Sequence, residues 1–244
     1  MNNKCITHSF KQKYSSYKKH NNIYKFLKIN KKSKNNDSDS DSDYKNKKSS
    51  NIKNKVYITN NHLYFHANVT EKSVDAVKKL MREYAHIIRN IKNNSNLIEI
   101  KHKPLFLHIF SPGGCVYAGL AMYDFISEYK NIIPVYTIVE GFAASSATFM
   151  SIAGTKKFIT PSSYMLIHQL STIARGNFEQ IKEEFQNCDK IMDKIIDIYL
   201  KHTNITKDNI SEILKHDINW NAQDCLQYGI IDEIKLIDTF NDNL

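Results

Sequence analysis

The chain has 244 residues, enough for one substantial α/β domain with an extension. Its 34 basic and 25 acidic residues give a formal net charge of +9, but fifteen lysines and only four aspartates fall within residues 1–55. The remainder is close to neutral, which argues against a basic nucleic-acid-binding fold.

Residues 1–54 are rich in Asn, Lys and Ser and include the alternating run from Asp37 to Asp43 (DSDSDSD). Such a segment has too little apolar surface to offset the entropy of ordering it, so a disordered basic extension is expected. It could touch an anionic surface by simple electrostatics, but a solvated extension without a dedicated ligand is the preferred reading. Residues 1–36 lack acidic groups, as organellar transit peptides do, yet they also lack arginine. A cytoplasmic or other intracellular location is therefore expected. No signal-peptide core is present, and no apolar run approaches the roughly 20 residues that span a bilayer. Cys5, Cys115, Cys188 and Cys225 are scattered without metal-ligand spacing, so reduced thiols are expected, with no structural metal, no disulfide and no bound cofactor.

From residue 55 onward, short apolar runs alternate with helical stretches. His62–Phe65 reads as a strand, and Thr70 as the N-cap of a helix through Val74, Val77, Leu80, Met81 and Tyr84. The polar stretch Ile91–Asn96 reads as a loop. Leu105–Phe110 (LFLHIF) is a continuous apolar run, as a parallel strand covered on both faces requires, and it ends at the turn Ser111-Pro112-Gly113-Gly114. A helix over Val116–Tyr129 follows, with Leu120, Tyr123, Phe125 and Ile126 on its buried side. Val135–Val139 reads as a strand ended by Gly141, and Lys157–Thr160 and Met165–His168 as two more. The clearest helix spans 177–200, where Phe178, Ile181, Phe185, Cys188, Ile191, Ile195 and Ile198 recur at steps of three or four. That stripe fits core packing or contact with another subunit. The alternation predicts a largely parallel α/β layer.

Two features carry potential chemistry. A Gly-Gly turn after a buried strand exposes backbone N–H groups, and Ser145 stands at a helix start, where free N–H groups favour developing negative charge. Together they could form an oxyanion site beside a hydroxyl nucleophile. His168, at the end of an apolar run, would be the base such a serine needs. Singly, each feature has a plainer reading: an ordinary turn, an N-cap serine, a half-buried histidine.

The ordered set Ser111-Pro112-Gly113-Gly114, Ala118-Gly119, Ala121-Met122-Tyr123-Asp124, Gly141-Phe142-Ala143-Ala144-Ser145 and Met165-Leu166-Ile167-His168-Gln169 resembles the Clp protease proteolytic subunit family. Asn221-Ala222 and Tyr228-Gly229-Ile230-Ile231-Asp232 resemble its C-terminal element, so the likeness covers roughly 56–238. The resemblance implies a crotonase-like fold of repeated strand–helix units over 55–244, with the 177–200 helix as a handle between rings. It implies Ser145 as nucleophile, His168 as base, and the backbone N–H groups of Gly114 and Ser146 as oxyanion hole. Leu170 to Phe178 would lie along a channel that takes extended peptide as an added strand. Ile213 occupies the place of the family's acidic triad member, leaving Glu212 and Asp217 as substitutes.

The implied activity is serine endopeptidase cleavage of unfolded polypeptides through an acyl-enzyme. A homo-oligomeric ring, heptameric or stacked, would do this, fed by a separate ATP-dependent unfoldase. The sequence contains no GxxxxGK[ST] loop, so ATP chemistry would belong to the partner. A catalytically weak structural subunit that co-assembles with an active one is the alternative that Ile213 raises. An acyl-CoA enzyme of crotonase type is a more distant one. The basic extension would lie near the ring's axial end, where it could gate entry.

Overall fold

The computed structural model describes residues 55–94 and 103–236, and no helix among them is long and apolar enough to cross a membrane. The described residues divide into two units, one represented only by Ile58–Asn60 and the other by 55–57, 61–94 and 103–236. Apart from Ile58–Asn60 the first unit lies outside the described residues, as does the extension expected over 1–54. The second unit carries everything discussed below apart from Ile58 and Thr59, which close its first strand.

Its strands are β1 (Lys55–Thr59), β2 (His62–His66), β3 (Leu105–Ser111), β4 (Val135–Ala144), β5 (Lys156–Ile159), β6 (Tyr164–Leu166), β7 (Asn219–Asn221) and β8 (Glu233–Ile234). The sheet runs β1-β2-β3-β4-β5-β8, with β6 on β4 and β7 on β6. Pairings from β2 through β8 along this order are parallel, as is β4–β6, whereas β6–β7 is antiparallel. The helices are α1 (Glu71–Asn94), α2 (Val116–Tyr129), α3 (Ser146–Ile152), α4 (Phe178–His202), α5 (Lys207–Leu214) and α6 (Ala222–Gln227). Repeated strand–helix units on a mostly parallel sheet are the architecture that the resemblance implied.

Helix α1 starts where Thr70 Oγ1 accepts the Ser73 N–H, while Ser73 Oγ accepts the Thr70 N–H. This reciprocal cap satisfies two donors that a helix start leaves free. The helix then continues to Asn94, through most of the stretch read as a loop. Once the buried stripe of Val74, Val77 and Met81 anchors it, each added residue needs only one more hydrogen bond, so polar residues propagate it. Helix α2 has the expected limits, but its buried side is Ala118, Met122, Tyr123, Ile126 and Tyr129. Leu120 and Phe125 are only half-buried; Phe125 instead carries the Arg82 guanidinium over its ring at 5.1 Å. The Tyr129 hydroxyl donates to the Met81 carbonyl at 2.6 Å and ties α2 to α1.

Strand β4 passes Gly141 instead of ending there. Its register against β3 shifts between Ile109↔Val139 and Ser111↔Ala143, an irregularity that absorbs the positive φ (75°) of Gly141. Before the shift β4 pairs with β5, and after it with β6. This change of partner carries the strand end to the segment that precedes His168.

One sheet face holds an aromatic and histidine layer. Tyr57 stacks on Tyr64, Tyr64 stacks on His108, and His62 stacks on Phe106. His108 is fully buried, with Nε2 2.8 Å from His62 Nδ1 and Nδ1 against the Glu140 carboxylate. Burial, reinforced by His108, lowers the His62 pKa to about 4. Burial, with Lys130, Lys201 and Lys157 nearby, does the same to His202, which is bonded to the Tyr123 hydroxyl. An unfolded histidine takes its proton near pH 6.5. Between that pH and about 4 the unfolded state therefore binds more protons than the folded one. Stability should be full above pH 6.5 and fall toward pH 4. A lower urea midpoint at pH 5 than at pH 7.5, with a shallower fall in His62→Gln, is the expected result; an unchanged midpoint contradicts it.

Candidate active site

Strand β3 ends in Ser111, whose Oγ accepts the Gly113 N–H at 3.1 Å and tightens the turn. Gly113 has φ 90°, and a Cβ there would lie 2.6 Å from the Ala144 carbonyl oxygen and 2.7 Å from Ser145 Cβ. Gly114 has φ 150°, and a Cβ there would lie 2.3 Å from the Val69 oxygen. Both positions demand glycine, one for closeness to the Ser145 segment and one for closeness to the backbone at Val69. Val69 donates to the Gly113 carbonyl and accepts from Cys115, each at 2.8 Å. The Gly114 N–H between these bonds is not used by them, and Gly114 lines the site cavity.

Ser145 joins β4 to α3 with φ 54° and ψ −131°, a conformation that a residue bearing a Cβ rarely adopts. Three backbone bonds hold it. Its N–H donates to the Leu166 carbonyl at 2.8 Å, and its carbonyl accepts from the Thr148 N–H (2.9 Å) and hydroxyl (2.6 Å). Thr148 Oγ1 is in turn 2.6 Å from the hydroxyl of Tyr199, a fully buried residue on α4. Burial pushes the Tyr199 phenol up and keeps it neutral. The Ser145 side chain makes no capping bond although it occupies the N-cap position. Helix capping therefore does not account for this serine. Its neighbour Ser146 is 2% exposed, and its Oγ has no partner among the described residues.

His168 lies two residues beyond β6, so the strand expected over Met165–His168 stops short at Leu166. The stop has a clear cause. The Gln169 N–H turns to donate to the Leu214 carbonyl at the end of α5, at 2.7 Å, which pulls the chain out of the sheet. In the antiparallel β6–β7 pair Leu166 faces Asn219, the last pair of that ladder, and His168 and Asp217 each lie two residues beyond it. The Asp217 carboxylate accordingly comes within 3.3 Å of His168 Nδ1. Glu212 points elsewhere. It pairs with Lys215 at 2.8 Å and His216 at 3.2 Å on the exposed side of α5, and these two hold its carboxyl below the usual carboxylate range. Ile213 is half-buried on the same helix.

Ser145, Ser146, Gly114 and His168 all line one cavity of about 500 Å³. Its floor includes Phe149, Ile191, Ile195 and Tyr199, and Leu170 to Thr172 form an edge. The four residues singled out from the sequence are thus brought together, with Asp217 behind the imidazole. Ser145 and His168 are not hydrogen-bonded to one another in this arrangement, and such contacts commonly tighten only when substrate binds. Sequence reasoning missed the Thr148–Tyr199 brace. The sole hint was Tyr199 on the apolar stripe of the long helix, which looks like any core position. A hydroxyl beside an oxyanion donor, a base aimed by a carboxylate, and a half-apolar cleft suit acyl transfer to and from the serine.

Comparison with known proteins agrees with this chemistry. A family profile described as Clp protease matches residues 65–237. A protein of Deinococcus radiodurans named "ATP-dependent Clp protease proteolytic subunit" is 35% identical over 139 residues, 56% of this chain and 66% of that protein. One of Streptomyces coelicolor, named "ATP-dependent Clp protease proteolytic subunit 1", is 35% identical over 134 residues, 54% of this chain and 60% of that protein. The matched stretches thus span just under two thirds of these relatives.

Proposed function

The chain belongs to the Clp protease family, and on that premise we propose that it is a serine endopeptidase subunit acting through Ser145, His168 and Asp217. The observation that carries this reading is the His168–Asp217 pair at 3.3 Å, whose imidazole lines one cavity with a serine held in a strained, uncapped conformation. Ser145 Oγ attacks the scissile carbonyl while His168 takes its proton, and Asp217 holds the imidazole and balances its charge. The oxyanion is met by the N–H groups of Gly114 and Ser146. His168 then protonates the leaving amine. Water, deprotonated by the same imidazole, opens the acyl-enzyme and regenerates the serine.

The rest of the proposal concerns assembly. The first half of α4 leaves Phe178 (76% exposed) and Phe185 (69%) uncovered, while Ile195, Ile198 and Tyr199 in its second half are buried. The apolar stripe therefore serves the core at one end only, and its free end suits packing against another copy in a ring. The relatives' names join a proteolytic subunit to ATP dependence; we assign the nucleotide chemistry to a separate unfoldase and an intracellular setting to both. The extension 1–54 is proposed to lie at the ring entrance.

The reading is tested with quenched-fluorescence peptides and unfolded casein. Wild type should cleave both, and Ser145→Ala and His168→Ala should each lose about a thousandfold or more in kcat with the oligomer intact. Unchanged cleavage in Ser145→Ala would remove the reading.

A further inference from the structure

Glu184 is the single carboxylate on the lining of the site cavity, and no Lys or Arg accompanies it there. It is half-buried. Its neighbours at helical reach on α4 are Gln180, Ile181, Asn187 and Cys188, none of them a cation, and none of the ion pairs among the described residues involves it. A second cavity of about 350 Å³ shares Glu184 and adds Glu183, with Arg175 as its only basic residue. Glu184 thus stands at the junction of two connected clefts, where acidic charge exceeds basic.

Its place on the helix defines what it can touch. Glu184, Cys188, Ile191, Ile195 and Tyr199 recur at steps of three or four and all line the site cavity, so they form one stripe facing it. Tyr199 is tied through Thr148 to the Ser145 carbonyl, which marks the reaction end of that stripe. At 1.5 Å per residue, Tyr199 and Glu184 lie about 22 Å apart along the axis. An extended peptide covers that distance in about seven residues, and a lysine side chain shortens the need to about five. The α4 face between, Cys188, Ile191 and Ile195, is apolar, as the methylene stem of Lys or Arg prefers, and ends in a carboxylate with no ion pair among the described residues.

We propose that Glu184 forms a remote specificity subsite that takes a lysine or arginine side chain of the bound polypeptide, about five to seven residues from the scissile bond. The inference rests on the peptidase reading for the location of the scissile bond, whereas its charge preference is a binding property. It also selects among extended chains without constraining the residue at the cleaved bond.

The test uses the full-length assembled protein with Ser145→Ala, so that binding is read without turnover. Fluorescent decapeptides carry one lysine walked along the sequence, against the same series with norleucine, a stem of similar length without the charge. Anisotropy should show one position at which lysine binds about tenfold tighter than norleucine, an advantage that shrinks in high salt. Adding Glu184→Gln should abolish that advantage and leave the norleucine series unchanged, which also certifies the fold. Glu184→Lys should shift the preference to a glutamate peptide. Equal binding of both series at every position, or a lysine advantage that survives Glu184→Gln, would overturn the inference. Labelling of Ser145 by an acylating probe reports separately on the peptidase reading, so the two can fail independently.

Discussion

Replacing Asp217 by asparagine is expected to lower kcat for peptide hydrolysis by about a hundred- to a thousandfold, with KM little changed. The carboxylate fixes which imidazole nitrogen carries the proton and balances the cation formed as Ser145 gives up its own. Asparagine keeps the shape but offers a neutral group that also satisfies the wrong tautomer. In buried triads the same change costs about ten-thousandfold. Asp217 is 75% exposed and 3.3 Å from the ring, so water supplies part of its role and the loss should be smaller. Glu212→Gln should stay within about twofold, because that carboxylate is committed to Lys215 and His216. Steady-state kinetics on one peptide decides the matter. An Asp217→Asn enzyme as active as wild type would reduce the catalytic set to Ser145 and His168, and loss in Glu212→Gln alone would reassign the acid.

The second large effect is expected at the glycine turn. Gly114→Ala places a methyl 2.3 Å from the Val69 oxygen, a contact that real Cβ atoms do not make, at a φ of 150° that alanine disfavours. The clash is with backbone, so no side-chain rotation relieves it. Either the Val69 bridge breaks or the turn rotates, and in both cases the Gly114 N–H leaves its line to the developing oxyanion. Loss of one such donor costs about a hundred- to a thousandfold in kcat, and the backbone strain adds about 1–3 kcal/mol of destabilisation. Thermal unfolding beside kinetics separates the two. Full activity with an unchanged melting temperature would mean that the turn is neither tight nor part of the oxyanion site.

How far the sequence discloses this site differs from element to element. Strand β3, helix α2 and the long helix α4 were legible because each carries a strong local signal: an apolar run closed by Pro-Gly-Gly, or apolar residues recurring at steps of three or four, as from Phe178 to Ile198. The continuation of β4 past Gly141 was not, because a glycine reads as a stop unless its partner strands are known. The end of β6 at Leu166 depends on a bond to Leu214, nearly fifty residues away, which no local pattern encodes. Asp217 belongs to the same class. Position counting against the family leads to Ile213, whereas the fold brings Asp217 within 3.3 Å of His168, just past the ends of β6 and β7, and that approach is a property of the folded sheet. The exposed half of α4 shows the complementary limit. Phe178 and Phe185 obey the same periodicity as buried Ile198, so pattern alone could not separate core from docking face.

The most direct test of the central claim is intact-mass analysis of the assembled protein after treatment with a fluorophosphonate or β-lactone probe, beside Ser145→Ala. One adduct per wild-type chain, located on Ser145 by peptide mapping and absent from the variant, is the predicted result, and it means that this serine is activated as a nucleophile. No adduct on folded, assembled wild type, or an adduct that persists in Ser145→Ala, would contradict it.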